Sequence, residues 1–199
     1  MEPRVVQRVL SPARAATRDR LIEAAIALAT EGGYDAVGIR AVAAAAEVSV
    51  PTAYQHVSSK DELLVEALMT LGTRSTEALR RRKPRGNGPA DRISRVFANI
   101  LREAAQKPLL YRALYRAYVA SGAELAAADG QVGYGPERAA WIGETLRAGD
   151  LGGHPVEDLD AAAGVLSCLF LGAMVGIATG RDPADVTGVL NDAVRRILH

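Results

Sequence analysis

Cysteine is almost missing from this sequence: Cys168 is the only one among 199 residues. No internal disulfide can form, and a metal site built from several thiolates is excluded. Histidine is nearly as scarce, with His56, His154 and His199 at no spacing that suits a metal cluster or a catalytic triad. No phosphate-binding or dinucleotide-binding glycine pattern occurs, nor a Gly-x-Ser-x-Gly elbow. These gaps argue against an enzyme, and neither metal nor cofactor is expected. Cys168 lies in an apolar run, where a thiol is more often buried than nucleophilic. Runs of alternating β-branched residues are also lacking, while 37 alanines make up close to a fifth of the chain. An all-β or parallel-sheet architecture is therefore excluded in favour of an all-α fold.

The first twenty residues are polar and basic, without the apolar core of a secretory leader. Residues 161–178 carry no charge. They are rich in Ala and Gly and have no flanking aromatic belt, so a helix buried in protein is expected rather than a membrane span. A cytoplasmic protein with no membrane partner follows. Large fields of one sign are absent too, the net charge being +1. The imbalance that exists favours the front: residues 1–86 hold 13 Lys and Arg against 10 Asp and Glu, and residues 87–199 hold 11 against 13. That sign suits a front end facing an anion such as nucleic acid.

Prolines divide the chain. Pro84, Pro89, Pro108, Pro136, Pro155 and Pro183 leave segments that read as helices near 90–106, 109–120, 137–148, 157–178 and 184–198, because proline suits a first helical turn and is costly further in. The clearest boundary is the linker at residues 83–89. Before it, Leu21, Ile22, Ala25, Ile26, Leu28 and Ala29 follow a helical period that starts at Ser11-Pro12 or at Thr17 and ends at Gly32-Gly33. Two short apolar-periodic stretches come next, one through Ile39, Val42, Ala43 and Ala46, the other over residues 50–57. Ser59 and Glu62 then form a capping box ahead of a long helix reaching about Arg81. The expected organisation is a basic arm over 1–16, a helical unit over 17–80 and a second helical unit over 81–199.

Three short helices in about forty residues, the last two joined by a tight turn, describe a helix-turn-helix. Its second helix would span residues 50–57, with Ser49 as N-cap and Pro51 in the first turn. Thr52, Tyr54, Gln55 and His56 would face outward, each able to bond a base edge or a phosphate. Lys60 stands at the start of the next helix, where free N–H groups already favour a phosphate.

Residues 17–68 resemble the N-terminal domain of TetR-family transcriptional regulators. The resemblance lies in Leu21-Ile22-Glu23-Ala24-Ala25, Gly33-Tyr34-Asp35-Ala36-Val37, Ile39-Arg40-Ala41-Val42-Ala43, the run from Val48 to Val57, and Ser59-Lys60-Asp61-Glu62-Leu63-Leu64. It implies an operator-binding homodimer on double-stranded DNA. Arg40 would be a phosphate contact, Ser49, Thr52, Tyr54, Gln55 and His56 the groove-facing set, and Tyr54 and Lys60 phosphate clamps. Four positions depart from the family's usual residues: Gly38 replaces Thr, Glu47 and Pro51 replace Gly, and Val57 replaces Phe. Gly38 and Glu47 support an alternative reading, a helical ligand-binding or scaffold dimer with weakened DNA affinity.

The resemblance also implies a C-terminal unit that dimerises and holds an inducer. Seven of nine aromatics lie in residues 97–170. Tyr111, Tyr115 and Tyr118 share one helix face. With Phe97, Leu101, Leu114, Trp141, Phe170 and Met174 they form the candidate wall of an apolar pocket. The same spacing also describes ordinary core. Arg112 and Arg116 form an adjacent stripe, the candidates for an anionic head group. Lys107-Pro108-Leu109-Leu110, Arg116-Ala117-Tyr118-Val119, Glu31-Gly32-Gly33-Tyr34 and Arg40-Ala41-Val42-Ala43 are similar to the sterol- and lipid-catabolism repressors of actinobacteria. That similarity implies a large hydrophobic effector, a CoA thioester being one form. Gly172 and Gly176, four apart, with Leu166 and with Val186, Leu190 and Val194 on the last helix, form the candidate dimer seam.

Overall fold

A computed structural model describes residues 12–81, 84–121 and 136–198. Among these residues the chain forms nine α-helices and no strand: α1 (Pro12–Ala36), α2 (Ile39–Ala45), α3 (Val50–Tyr54), α4 (Lys60–Arg81), α5 (Pro89–Ala105), α6 (Pro108–Ala120), α7 (Pro136–Leu146), α8 (Val156–Ala178) and α9 (Pro183–Ile197). Five of them open on proline, which fixes the first helical φ and forgoes only an N–H that has no partner there. Caps and charges support the ends. Asp182 accepts from the N–H groups of Ala184 and Asp185 at the start of α9. Asp61 and Glu62 begin α4 while Arg80 and Arg81 end it, each sign matched to the helix dipole.

Two expected boundaries move, the end of the arm and the end of α3. Helix α1 starts at Pro12, so residues 12–16, assigned by charge to the arm, are its first turn; residues 1–11 lie outside the described residues. Its helical backbone breaks at Gly33, at φ 68 and ψ −159, where the Gly32-Gly33 pair leads one to expect an end, and a short helical stretch then carries the chain to Ala36. Glycine adopts that conformation without a steric cost. Helix α3 stops at Tyr54 rather than at residue 57. Beyond it the N–H of His56 still bonds the Ala53 carbonyl at 2.9 Å and that of Val57 bonds it at 3.1 Å, as a tightened turn. In the capping box, Ser59 Oγ accepts from the Glu62 N–H at 3.1 Å, but Glu62 reaches back to the N–H and hydroxyl of Ser58.

The N-terminal helices pack through small residues. Ala25, Ala29, Val42, Ala43 and Ala53 are buried against Leu21, Leu63, Leu64 and Ala67. Each buried leucine contributes roughly 1.5–3 kcal/mol, and the alanines let the helices approach closely. Helix α6 packs against both α1 and α4, while α5, α7, α8 and α9 build the remaining bundle. Helix α8 is long and apolar enough to cross a membrane by length and composition. Leu159, Ala163, Leu166, Phe170, Met174 and Ile177 bury one of its sides within the protein. Arg92 lies inside the bundle at 2% exposure, donating to the carbonyls of Thr145, Leu146 and Asp150 at 3.3, 2.6 and 2.7 Å. The first two close α7, whose last carbonyls have no helical partner, and the third holds the loop after it.

Candidate functional site

Helix α3 is five residues long, and its orientation follows from what it buries. Ala53 and Val57 point inward. Pro51, Tyr54 and Gln55 are therefore exposed, and Thr52 and His56 half-buried. Tyr54 is 58% exposed, unusual for a tyrosine with no packing reason to be there. Ser49 accepts from the Thr52 N–H at 3.1 Å and pairs with the Thr52 hydroxyl at 2.7 Å. Its first role is thus to cap the helix.

Arg18 fixes the far end. It makes a two-pronged pair with Glu66 of α4 and donates to the His56 carbonyl at 2.9 Å. The reading helix is thereby tied to α1 and α4 at once. Burial, then the charges of Arg14 and Arg18, push the His56 imidazole below its ordinary pKa. At neutral pH it presents hydrogen-bonding nitrogens rather than a charge.

Helix α2 carries Arg40 on its exposed side. Its N-cap, Gly38, makes no side-chain capping bond. The turn that follows is a Schellman motif: the Val48 N–H bonds Ala43 O at 2.9 Å and the Glu47 N–H bonds Ala44 O at 3.2 Å. Glu47 occupies its left-handed position with φ 55. Lys60 opens α4 with its ammonium 3.7 Å from the Tyr34 ring centroid.

Behind this head lies a half-open cleft of about 1030 Å³, open solvent at its mouth included. Tyr111 and Tyr115 of α6, Trp141 of α7, and Phe170 and Met174 of α8 line it, as expected. Burial raises the Tyr111 hydroxyl to a pKa of about 12, with Glu103 adding to the effect, so it stays neutral. Four expected lining residues lie elsewhere. Phe97, Leu101 and Leu114 are fully buried core. Tyr118 packs edge-on against Tyr115 instead. Phe97 still shapes the cleft from behind: it stacks on Phe170 at 4.7 Å and meets Trp141 edge-on at 6.2 Å, fixing two lining rings.

The opposite wall is the middle of α4, with Leu68, Gly72, Ser75, Thr76, Leu79 and Arg80 among its residues. The guanidinium of Arg80 spans to Glu144 of α7 through two bonds of 2.9 and 3.0 Å. Exposed as it is, that pair is screened by solvent and adds little to stability. Of the two arginines considered for an anionic ligand, Arg112 approaches the Ala178 carbonyl at 3.5 Å. Arg116 lies over Tyr34, 3.8 Å from its centroid.

Residues 21–67 match the family of bacterial regulatory proteins named for TetR. The HTH-type transcriptional repressor KstR of Rhodococcus jostii is 36% identical over 193 residues, covering 94% of this chain and 85% of the relative. The chain belongs to the TetR family. The KstR repressor of Mycobacterium tuberculosis is 34% identical, covering 94% of this chain and 83% of the relative. The resemblance read from short motifs thus runs along almost the whole length. Two solved structures share the fold. A TetR transcriptional regulator from Rhodococcus sp. RHA1 superposes with a TM-score of 0.72 at 24% identity, over 93% of this chain and 97% of that one. Thermus thermophilus FadR in complex with lauroyl-CoA superposes with a TM-score of 0.69 at 20% identity, over 91% and 93%. This member is accordingly a DNA-binding, helix-turn-helix transcriptional regulator of the repressor type.

In this TetR-family regulator the expected dimer residues divide. Leu166, Val186, Leu190 and Val194 are buried within the chain's own bundle. An amphipathic stripe only announces that something covers it, and here the same chain does. Gly172 is exposed and Gly176 half-exposed. Beside them Val165, Leu169 and Val189 are 51%, 39% and 72% exposed, and Cys168 is exposed as well. Val189, on the same helix as the buried Val186, Leu190 and Val194, is turned to solvent. The α4 wall carries no sequence signal of a ligand site, because Gly72, Thr73, Ser75 and Thr76 are small and largely polar.

Proposed function

We propose that this regulator works as a homodimer that represses from a palindromic operator and is released when a lipid-like effector fills the cleft. One observation carries the reading: α4 begins at the DNA-facing head with Lys60 and continues, unbroken, as a wall of the aromatic cleft. A molecule that displaces this wall also displaces the head. The exposed apolar strip of α8 and α9, Val165, Cys168, Leu169, Gly172 and Val189, is the seam between subunits. A two-fold seam sets the two copies of α3 about 34–36 Å apart in successive major grooves. Arg40, Tyr54 and Lys60 hold phosphates, and Thr52, Gln55 and His56 reach base edges from a helix capped by Ser49. The protein works in the cytoplasm, on chromosomal DNA. The FadR neighbour's lauroyl-CoA and the similarity to sterol- and lipid-catabolism repressors favour lipid- and sterol-related effectors, acyl-CoA thioesters among them.

The test uses Trp141, the sole tryptophan, as a reporter inside the cleft. A duplex selected by the protein from a random pool should bind with affinity that falls steeply with salt, as counterions return to the phosphates. Lauroyl-CoA or a steroid carboxylate should shift Trp141 fluorescence and release that duplex at matching concentrations. No duplex binding at low salt would refute the regulator reading. Duplex binding that neither probe disturbs would refute the effector class.

A further inference from the structure

Tyr34 stands where both walls of the cleft meet the reading head. Its ring lies 3.7 Å from Lys60 Nζ on α4 and 3.8 Å from Arg116 Cζ on α6, centroid to cation. Two cations this near one centroid cannot share a face, so the ring sits between them. The Tyr34 hydroxyl donates to Asp61 Oδ1 at 2.6 Å, adding a second tie to α4. The kink at Gly33 precedes the ring, and a Cβ placed on Gly33 would meet Leu109 of α6 at 3.8 Å. Arg116 also approaches Asp35 at 4.0 Å. Along the chain, Arg116 follows Tyr115, which lines the cleft, and Lys60 begins the helix that forms the other wall.

We propose that Tyr34 and Arg116 are positioning residues that transmit cleft occupancy to Lys60 and the reading head. This rests on the effector reading above. The attraction of a cation for a ring operates within about 6 Å of the centroid. A shift of roughly 2.5 Å between α4 and α6 therefore takes one cation beyond that range and frees α4 to tilt with its lysine.

The probe is a filled cleft made by substitution. Gly72 lines the cleft, and nothing lies within 4 Å of a Cβ added there. Gly72→Phe, with Gly72→Leu as a smaller filler, stands in for an effector. Duplex affinity is measured at fixed salt with the selected duplex. Filling should weaken binding by about tenfold, inside the roughly 5–150-fold range of such couplings. In an Arg116→Gln or Tyr34→Leu background the same filling should change affinity less than about twofold. Arg116→Lys and Tyr34→Phe, which keep a cation and a ring, should restore the full ratio. Thermal unfolding checks that each variant is folded; Arg116 is exposed, so its replacement leaves the core intact. If the ratio survives in Arg116→Gln and Tyr34→Leu, or if Lys behaves as Gln does, the link is wrong and the effector reading stands. If neither filler alters duplex affinity, the effector reading falls and takes the link with it.

Discussion

Glu47 is the only non-glycine residue with positive φ among the described residues, and it closes α2 where a glycine costs nothing. An L-residue held left-handed costs about 1–2 kcal/mol. Glycine removes that cost, but its freer unfolded chain returns about 0.5–1 kcal/mol. Glu47→Gly should then stabilise the protein by about 0.5–1 kcal/mol, a rise in Tm of about 1–4 °C for a chain of this size. A second effect is electrostatic. The exposed carboxylate sits in the turn just before α3. A unit charge about 10 Å from a phosphate in water is worth about 0.4 kcal/mol. Two subunits should together gain about fourfold in duplex affinity at low salt, and less as salt screens it. Glu47→Gln separates the two, since it removes the charge and keeps a side chain in the left-handed position. Calorimetric melting should show the gain for Gly alone, while salt-dependent duplex titration should show it for both. A Gly variant that melts no higher than the Gln variant would refute the strain argument.

Two further outcomes follow from the buried groups. Arg92→Met removes the donor to the Thr145 and Leu146 carbonyls that end α7 and to the Asp150 carbonyl in the loop after it. At about 1–3 kcal/mol for each buried acceptor left unpaired, less what water recovers, the cost should be about 3 kcal/mol, read as a fall in Tm of about 10 °C; a loss below about 1 kcal/mol would show that water replaces the guanidinium fully. Tyr111 is held neutral by burial, its pKa raised from 10 to about 12. Its folded pKa is the higher one, so its contribution to stability is intact below pH 10 and is lost as pH rises from 10 to 12. Alkaline ultraviolet titration should show one tyrosine ionising last, absent in Tyr111→Phe, and the variant's stability should decline less steeply across that window.

The helices were most legible where two local signals agree, an apolar period of 3.6 and a proline suited to a first helical turn, as at the five that open on proline. Where only one signal exists, boundaries move. Gly32-Gly33 does break the helical backbone, at Gly33, but the short helical stretch after it, which holds Tyr34, carries no signal of its own. The reading helix was legible from its cap and from the outward set Thr52, Tyr54, Gln55 and His56; its last turn tightens because Val57 must return to the core. Periodicity names a buried side without naming what buries it. Leu114 and Phe97 share their pattern with Tyr115 and Phe170, but only the latter pair borders the cleft. Val186, Leu190 and Val194 show the same limit on α9.

Helix α4 shows why the remaining wall escaped notice. Its first turns carry Leu63, Leu64 and Ala67, all fully buried, and read as an ordinary amphipathic helix. After Leu71 the apolar pattern fades into Gly72, Thr73, Ser75 and Thr76, as it does where a helix runs out into solvent. A glycine inside a helix costs about 1 kcal/mol relative to alanine. Nothing crowds Gly72, so packing does not demand it. What the small residues do is keep the width between α4 and the rings of Tyr111, Tyr115 and Trp141. Helical stability is given up along the stretch where α4 borders the cleft, and kept where the helix enters the head.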